Sequence, residues 1–182
     1  MSAMPTLVKV ALVGPRAVGK STLGAAVAAH LGWPFLDTDH ELEREVGQPA
    51  GAFLVSSGEA EFRRREAGIV RAALAAPGPA VVALGGGAVT SPEVRAALAA
   101  AGIFTVRLEA AAAVLVARIE RAPGTRPPLT DLPLAQEVEA LCARRAALYR
   151  EVSQDSLETF PANVDACVLA LLAKIDAAFR AS

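Results

Sequence analysis

The chain has 182 residues, 53% hydrophobic and 20% charged, a length and balance that give one folded domain a core needing neither disulfides nor metals. A net charge of −1 leaves no basic field to hold nucleic acid or anionic lipid by counterion release, which argues against polyanion binding as the main task. The 18 basic residues include three lysines, Lys9, Lys20 and Lys174; the other cations are arginines, whose planar forks suit carboxylates and phosphates.

An apolar run at residues 8–13 predicts the first strand. It passes directly into Gly14-Pro15-Arg16-Ala17-Val18-Gly19-Lys20-Ser21, without the apolar core and cleavage site of an export leader, so a cytoplasmic location is expected. These eight residues fit G-x-x-x-x-G-K-[ST] and open a predicted helix over residues 20–31. The glycines permit a tight turn that points successive N–H groups at one anion, and the helix N-terminus adds its positive end. Lys20 then reaches the outer phosphates of a nucleotide and the Ser21 hydroxyl suits Mg²⁺.

A second short strand is expected at residues 34–36, followed by Asp37-Thr38-Asp39 and a helix at 41–46. Two carboxylates at i and i+2 past a strand end can face one cleft, one toward a metal and one toward a substrate hydroxyl. Taken alone, Asp39 fits the N-cap of the helix beginning near Glu41. A helix over 59–75 carries Glu59, Arg63 and Glu66 at ion-pair spacing, which by itself describes a solvated helix surface. Arg64, Arg65 and Arg71 read as surface charge.

Residues 80–84 predict a third strand, ending in Gly85-Gly86-Gly87, three glycines that imply close approach of the backbone to another group. The longest charge-free stretch, 72–92, is broken by these glycines and by Pro77, Gly78 and Pro79, so it cannot span a membrane. A helix at 92–101, a strand at 103–108 and a helix at 111–121 follow. Residues 121–133 carry four prolines and two arginines between helices, longer than most connections, and read as a lid. A helix at 134–152, a strand at 156–159 and a helix at 162–180 complete the alternation that builds a parallel sheet. Cys142 and Cys167 lack metal-ligand spacing and read as buried free thiols.

In order and approximate spacing, the Gly14–Ser21 run, Asp37-Thr38-Asp39, Gly58-Glu59 with Phe62-Arg63 and Glu66, Leu84-Gly85-Gly86-Gly87, Arg126-Pro127, and Arg145 before Leu148-Tyr149 resemble the shikimate kinase family. The likeness covers nearly the whole chain. It implies a P-loop NTPase fold, three-layer α/β/α with a five-stranded parallel sheet and a lid, in one domain over residues 1–182. It implies ATP and Mg²⁺ as cofactors, shikimate as the partner whose 3-hydroxyl is phosphorylated, and a monomer without nucleic-acid or membrane partners.

Under this resemblance the nucleotide falls on Gly14, Pro15, Arg16, Ala17, Val18, Gly19, Lys20, Ser21 and Thr22, with Arg118 stacking on adenine and Pro161 near the adenine loop. Ser21 and Asp37 support Mg²⁺, Asp37 through water. Asp39 binds the ring hydroxyls and is the base, Arg63 and Arg145 take the carboxylate, and the backbone of Gly86 and Gly87 contacts substrate. Lys20, Asp39 and the lid residue Arg126 form the catalytic set. Ala17, Pro128, Ala147 and Leu54 depart from the glycine, leucine, proline and phenylalanine usual in the family. The competing readings are a gluconate-type or nucleoside monophosphate kinase and a non-catalytic regulatory module; retained Lys20, Ser21, Asp37 and Asp39 speak against the last.

Overall fold

The computed structural model describes residues 8–121 and 132–181. Its sheet is parallel throughout, in the order β2-β3-β1-β4-β5, with β1 at Lys9–Val13, β2 at Phe35–Asp37, β3 at Ala80–Ala83, β4 at Ile103–Glu109 and β5 at Asp155–Glu158. The helices are α1 (Lys20–Leu31), α2 (Thr38–Val46), α3 (Ala50–Ala75), α4 (Pro92–Leu98), α5 (Ala112–Arg121), α6 (Leu134–Val152) and α7 (Val164–Ala181), with a short 3₁₀ turn at Ala88–Thr90.

β1 is buried along its whole length, which is why it reads as a continuous apolar run rather than an alternating one. Its side chains still alternate. Val10 and Leu12 enter a cluster with Leu108, Leu115 and Leu171, while Ala11 and Val13 enter a second with Val82, Val70 and Leu98 on the opposite face. Helices therefore cover both faces, and the C-terminal ends of the strands point to one common edge where loops carry the site.

A third, smaller cluster of Leu42, Ala50, Phe53 and Phe62 joins α2 to α3, and Leu54 packs against it. α3 is two helical pieces joined at a kink at Gly58, whose φ of 80° and ψ of 162° lie outside the helical region. The piece over residues 50–57 is not foreseen by the helix expected at 59–75; its residues pack on a satellite cluster, not on the sheet.

At the opposite end of β1 from the site, Lys9 is fully buried. Its ammonium donates to Ala76 O at 2.8 Å and to Gly78 O. It thus satisfies a carbonyl at the end of α3 and ties the α3–β3 connection to the central strand. Burial pulls the Lys9 pKa below its ordinary value.

Candidate active site

The Gly14–Ser21 loop leaves β1 and enters α1 with three residues at positive φ: Gly14 at 144°, Ala17 at 63° and Gly19 at 105°. Gly14 is obligatory for a second reason, since a Cβ there would lie 2.5 Å from Leu108 O of β4. Ala17 stands alone among the described residues as a non-glycine at positive φ. For an L-residue that conformation costs about 1–2 kcal/mol. The loop holds its shape regardless: Val18 is fully buried and Lys20 Nζ donates to Gly14 O and Pro15 O, both at 2.8 Å.

Asp37 closes β2 and caps α2. Its Oδ1 accepts from the Asp39 and His40 amides at 3.0 and 3.4 Å, and its Oδ2 accepts from the Ser21 hydroxyl. The helix thus begins at Thr38, not near Glu41, and the cap is Asp37, not Asp39. The correction is physical: a β-region residue whose carboxylate faces back onto the first-turn amides starts the helix, and Asp39 already lies in that first turn. Ser21 Oγ and Asp37 Oδ2 form a hard oxygen pair beside the phosphate loop. That set fits Mg²⁺, which takes one or two protein oxygens and completes its shell with water and phosphate. Among the described residues no group of three or more His, Cys, Asp or Glu forms an all-protein cage.

The three glycines after β3 form the wall facing this loop, and each brings backbone against a particular partner. A Cβ on Gly85 would lie 2.5 Å from Glu66 Oε1 and 2.7 Å from Asp39 Oδ1; on Gly86, 3.3 Å from the Arg16 amide; on Gly87, 2.6 Å from Arg63 Cζ. Glycine is needed here because two carboxylates and a guanidinium lie where side chains would begin. Thr38 Oγ1 accepts from the Gly85 amide at 3.0 Å, and Gly86 O accepts from Arg145 Nη1 at 3.1 Å and Tyr149 Oη at 2.5 Å.

Arg63, Arg145, Asp39 and Glu66 therefore converge on one short backbone segment from α3, α6 and α2. Arg63 Nη1 donates to Glu66 Oε2 at 2.6 Å, and Arg63 Cζ lies 5.2 Å from the centre of the Phe62 ring. The spacing suggests a solvated ion pair, and Arg63 Nε does lie 3.7 Å from the exposed Glu59; its other partner, Glu66, is only 2% exposed, and the neighbouring Arg145 is 7% exposed. Burial pushes the Glu66 carboxyl above its usual range, while the neighbouring Arg63 guanidinium pulls the other way. The Nε atoms of Arg63 and Arg145 are buried without a hydrogen-bond partner among the described residues, an arrangement that a bound anion relieves.

A cleft of about 480 Å³ connects the two halves, lined by Lys20, Ser21, Asp37, Asp39, Gly86 and Arg118 among others. Arg16, Ala17, Gly19 and Thr22 line it too, whereas Arg63, Gly87 and Arg145 sit around its glycine wall. A side pocket of about 250 Å³ runs under α1 toward α7, past Thr22, Arg118, Thr159, Asn163 and Cys167. Pro161 does not line it, but follows a cis peptide from Phe160 and immediately precedes the lining residue Ala162. Cys142 is half-buried and Cys167 buried, both as free thiols. Arg126 and Pro128 lie outside the described residues, as does all of the expected lid except Arg121, Leu132 and Pro133.

Three residues of this geometry carry no assigned role in the sequence reading: Thr38, Glu66 and Tyr149. Glu66 and Tyr149 stood in the motifs, but spacing does not reveal that one anchors a guanidinium and the other a glycine carbonyl. Thr38 gave no signal apart from lying between two aspartates.

The shikimate kinase family model matches residues 16–176. The shikimate kinase of Mycobacterium tuberculosis (strain ATCC 25177 / H37Ra) is 44% identical over 167 residues, covering 92% of this chain and 93% of its own. A solved shikimate kinase from Acinetobacter baumannii, in complex with shikimate, superposes with a TM-score of 0.87 at 33% identity, covering 96% of both chains. A gluconokinase from Sinorhizobium meliloti 1021 reaches a TM-score of 0.58 at 18% identity over 98% of this chain and 99% of its own, a likeness of fold alone.

Proposed function

The chain belongs to the shikimate kinase family and phosphorylates shikimate with ATP as donor, and from that premise we propose how its own residues divide the work. The triphosphate lies along the Gly14–Ser21 loop, with Lys20 neutralising charge on the transferring group. Ser21 and Asp37 would hold Mg²⁺, which when bound would neutralise the phosphate oxygens.

Shikimate sits on the glycine wall. Its carboxylate takes Arg63 and Arg145, whose forks offer paired donors that an ammonium does not. Asp39 binds the 3-hydroxyl and accepts its proton as the oxygen attacks the γ-phosphorus, whose bond to the β,γ-bridging oxygen breaks to release ADP. Gly86 and Gly87 let the substrate approach the backbone, and Glu66 holds Arg63 in place. Arg126 is assigned to the transferring phosphoryl group and residues 121–133 to a lid, both on the family pattern. Arg118 and the turn at Pro161 flank the base.

The supporting observation is the convergence of two arginines and two carboxylates on Gly85–Gly87, the wall that faces the phosphate loop across the cleft lined by Asp39 and Gly86. A coupled ADP-release assay with shikimate, gluconate, quinate and nucleoside monophosphates tests it. Shikimate should be preferred by a wide margin, and equal turnover of gluconate would overturn the assignment of the wall. Residues 1–182 are read as one domain acting as a monomer in the cytoplasm, which light scattering and fractionation check; no described helix is long and apolar enough to cross a membrane.

A further inference from the structure

Arg118, on the last turn of α5, spends its donors on three carbonyls and a hydroxyl of the protein. Its Nη1 donates to Ala17 O at 3.3 Å, Val18 O at 3.2 Å and Thr159 Oγ1 at 3.1 Å, and its Nη2 donates to Thr159 O at 2.9 Å. Thr159 is itself buried and fixed, its amide donating to Glu109 O at 2.8 Å and its hydroxyl to the same oxygen at 3.2 Å. A continuous chain of contacts thus runs from the end of β4 through Thr159 and Arg118 to the outer side of the phosphate loop.

The two loop carbonyls belong to the peptides 17–18 and 18–19. In a planar trans peptide the C=O and N–H point in opposite directions. Gripping Ala17 O and Val18 O from outside therefore sets the direction of the Val18 and Gly19 N–H groups. Those are donors of the kind a loop of this type turns toward phosphate. The grip falls where the backbone most resists its shape, because Ala17 carries a Cβ at a φ of 63°.

We infer that Arg118 is a positioning residue of the phosphate loop, holding Ala17 in its left-handed conformation through the carbonyls of Ala17 and Val18. The inference rests on the nucleotide-site reading above but concerns the edge of the guanidinium, not the face that a base would stack on. It depends on Ala17, which stands where the family's loop usually has glycine.

The test uses inorganic tripolyphosphate, which has no base to stack, as a probe in calorimetric titrations of the full-length protein. Arg118→Ala should weaken tripolyphosphate binding about tenfold, with shikimate affinity unchanged. In an Ala17→Gly background, where the conformation is unstrained, the same change should cost only about threefold. A loss of the same factor in both backgrounds would mean that Arg118 acts by charge alone, and parent-like tripolyphosphate binding with weakened ATP binding would mean that it acts by stacking alone. Either overturns the inference. Should Arg118→Ala not fold, Arg118→Met keeps the length without the donors and is read by the same criteria. Lys20→Met separates the underlying reading: if it binds tripolyphosphate like the parent, the phosphate-site assignment is what fails.

Discussion

The guanidinium of Arg63 occupies the space in which a side chain of Gly87 would begin, so that a Cβ there would lie 2.6 Å from Cζ. Arg63 has little freedom to yield, being half-buried over the Phe62 ring and paired with the buried Glu66. Gly87→Ala should therefore fold, since Gly87 has a negative φ of −98°, but should misplace the arginine. The expected result is a loss of about tenfold or more in kcat/KM for shikimate with ATP affinity nearly unchanged. Parent-like kinetics would show that Arg63 can leave this position without consequence.

Arg63→Ala and Arg145→Ala should each lower kcat/KM for shikimate by about ten- to several hundred-fold, because hydrogen bonds to charged groups contribute roughly 1.5–3 kcal/mol. The two variants should differ in a second readout. Arg145 also holds Gly86 O at 3.1 Å, so its loss loosens the glycine wall, whereas loss of Arg63 strands the buried Glu66 carboxylate. Shikimate analogues lacking the carboxylate should be poor substrates and should lose little more on either change. If both variants phosphorylate shikimate normally, the carboxylate site lies elsewhere.

Lys20→Met and Asp39→Asn separate the two halves of the cleft. The first should remove most turnover, by more than about a hundredfold, because phosphoryl transfer depends on placed positive charge. The second should lower kcat by a similar factor while ATP binding stays near normal. A collapse of ATP affinity in Asp39→Asn, with shikimate binding intact, would exchange the roles of Asp37 and Asp39.

Tyr149 is the chain's single tyrosine, so its phenolate absorbance reports one group. Burial pushes its pKa from 10.0 up to about 12. The folded state therefore keeps a proton that the unfolded chain gives up, and the resulting stability is complete below pH 10 and lost as pH rises toward about 12. Alkaline titration of the native protein should show the phenolate appearing well above pH 10. Tyr149→Phe should flatten the fall in stability over that window and, by freeing Gly86 O, weaken shikimate binding by a few-fold. A native titration near 10 would mean that the hydroxyl is solvated.

Much of the architecture is legible in the sequence because the elements that set it are strongly patterned. α1 and α6 fall at Lys20–Leu31 and Leu134–Val152, the bounds that periodicity predicts, and β1, β3 and β4 differ by a residue at an end. The misses fall at helix boundaries, where a side-chain cap, a packing contact or a turn overrides the periodicity. α2 starts early because Asp37 turns back to cap it, and α3 continues through residues 50–57 because Phe53 packs on Leu42 and Phe62. α4 stops at Leu98, where the sequence suggests residue 101, ahead of a turn with Gly102 at a φ of 82°. At the site, the phosphate loop is readable because its chemistry is local. The convergence of Arg63, Arg145, Asp39 and Glu66 on three glycines is a tertiary fact, and no spacing along one helix encodes it.

Lys9 and the phosphate loop lie at opposite ends of one five-residue strand. Removing the Lys9 ammonium would undo its hydrogen bonds to Ala76 O and Gly78 O, and with them the tie between β1 and the α3–β3 connection, while leaving the cleft as it is. The two ends of β1 thus govern separate quantities: how many molecules survive proteolysis in a cell, and how fast each survivor turns over. Activity measured in a crude extract would merge them, and a Lys9 variant would there be mistaken for a catalytic lesion until activity was divided by the amount of folded protein.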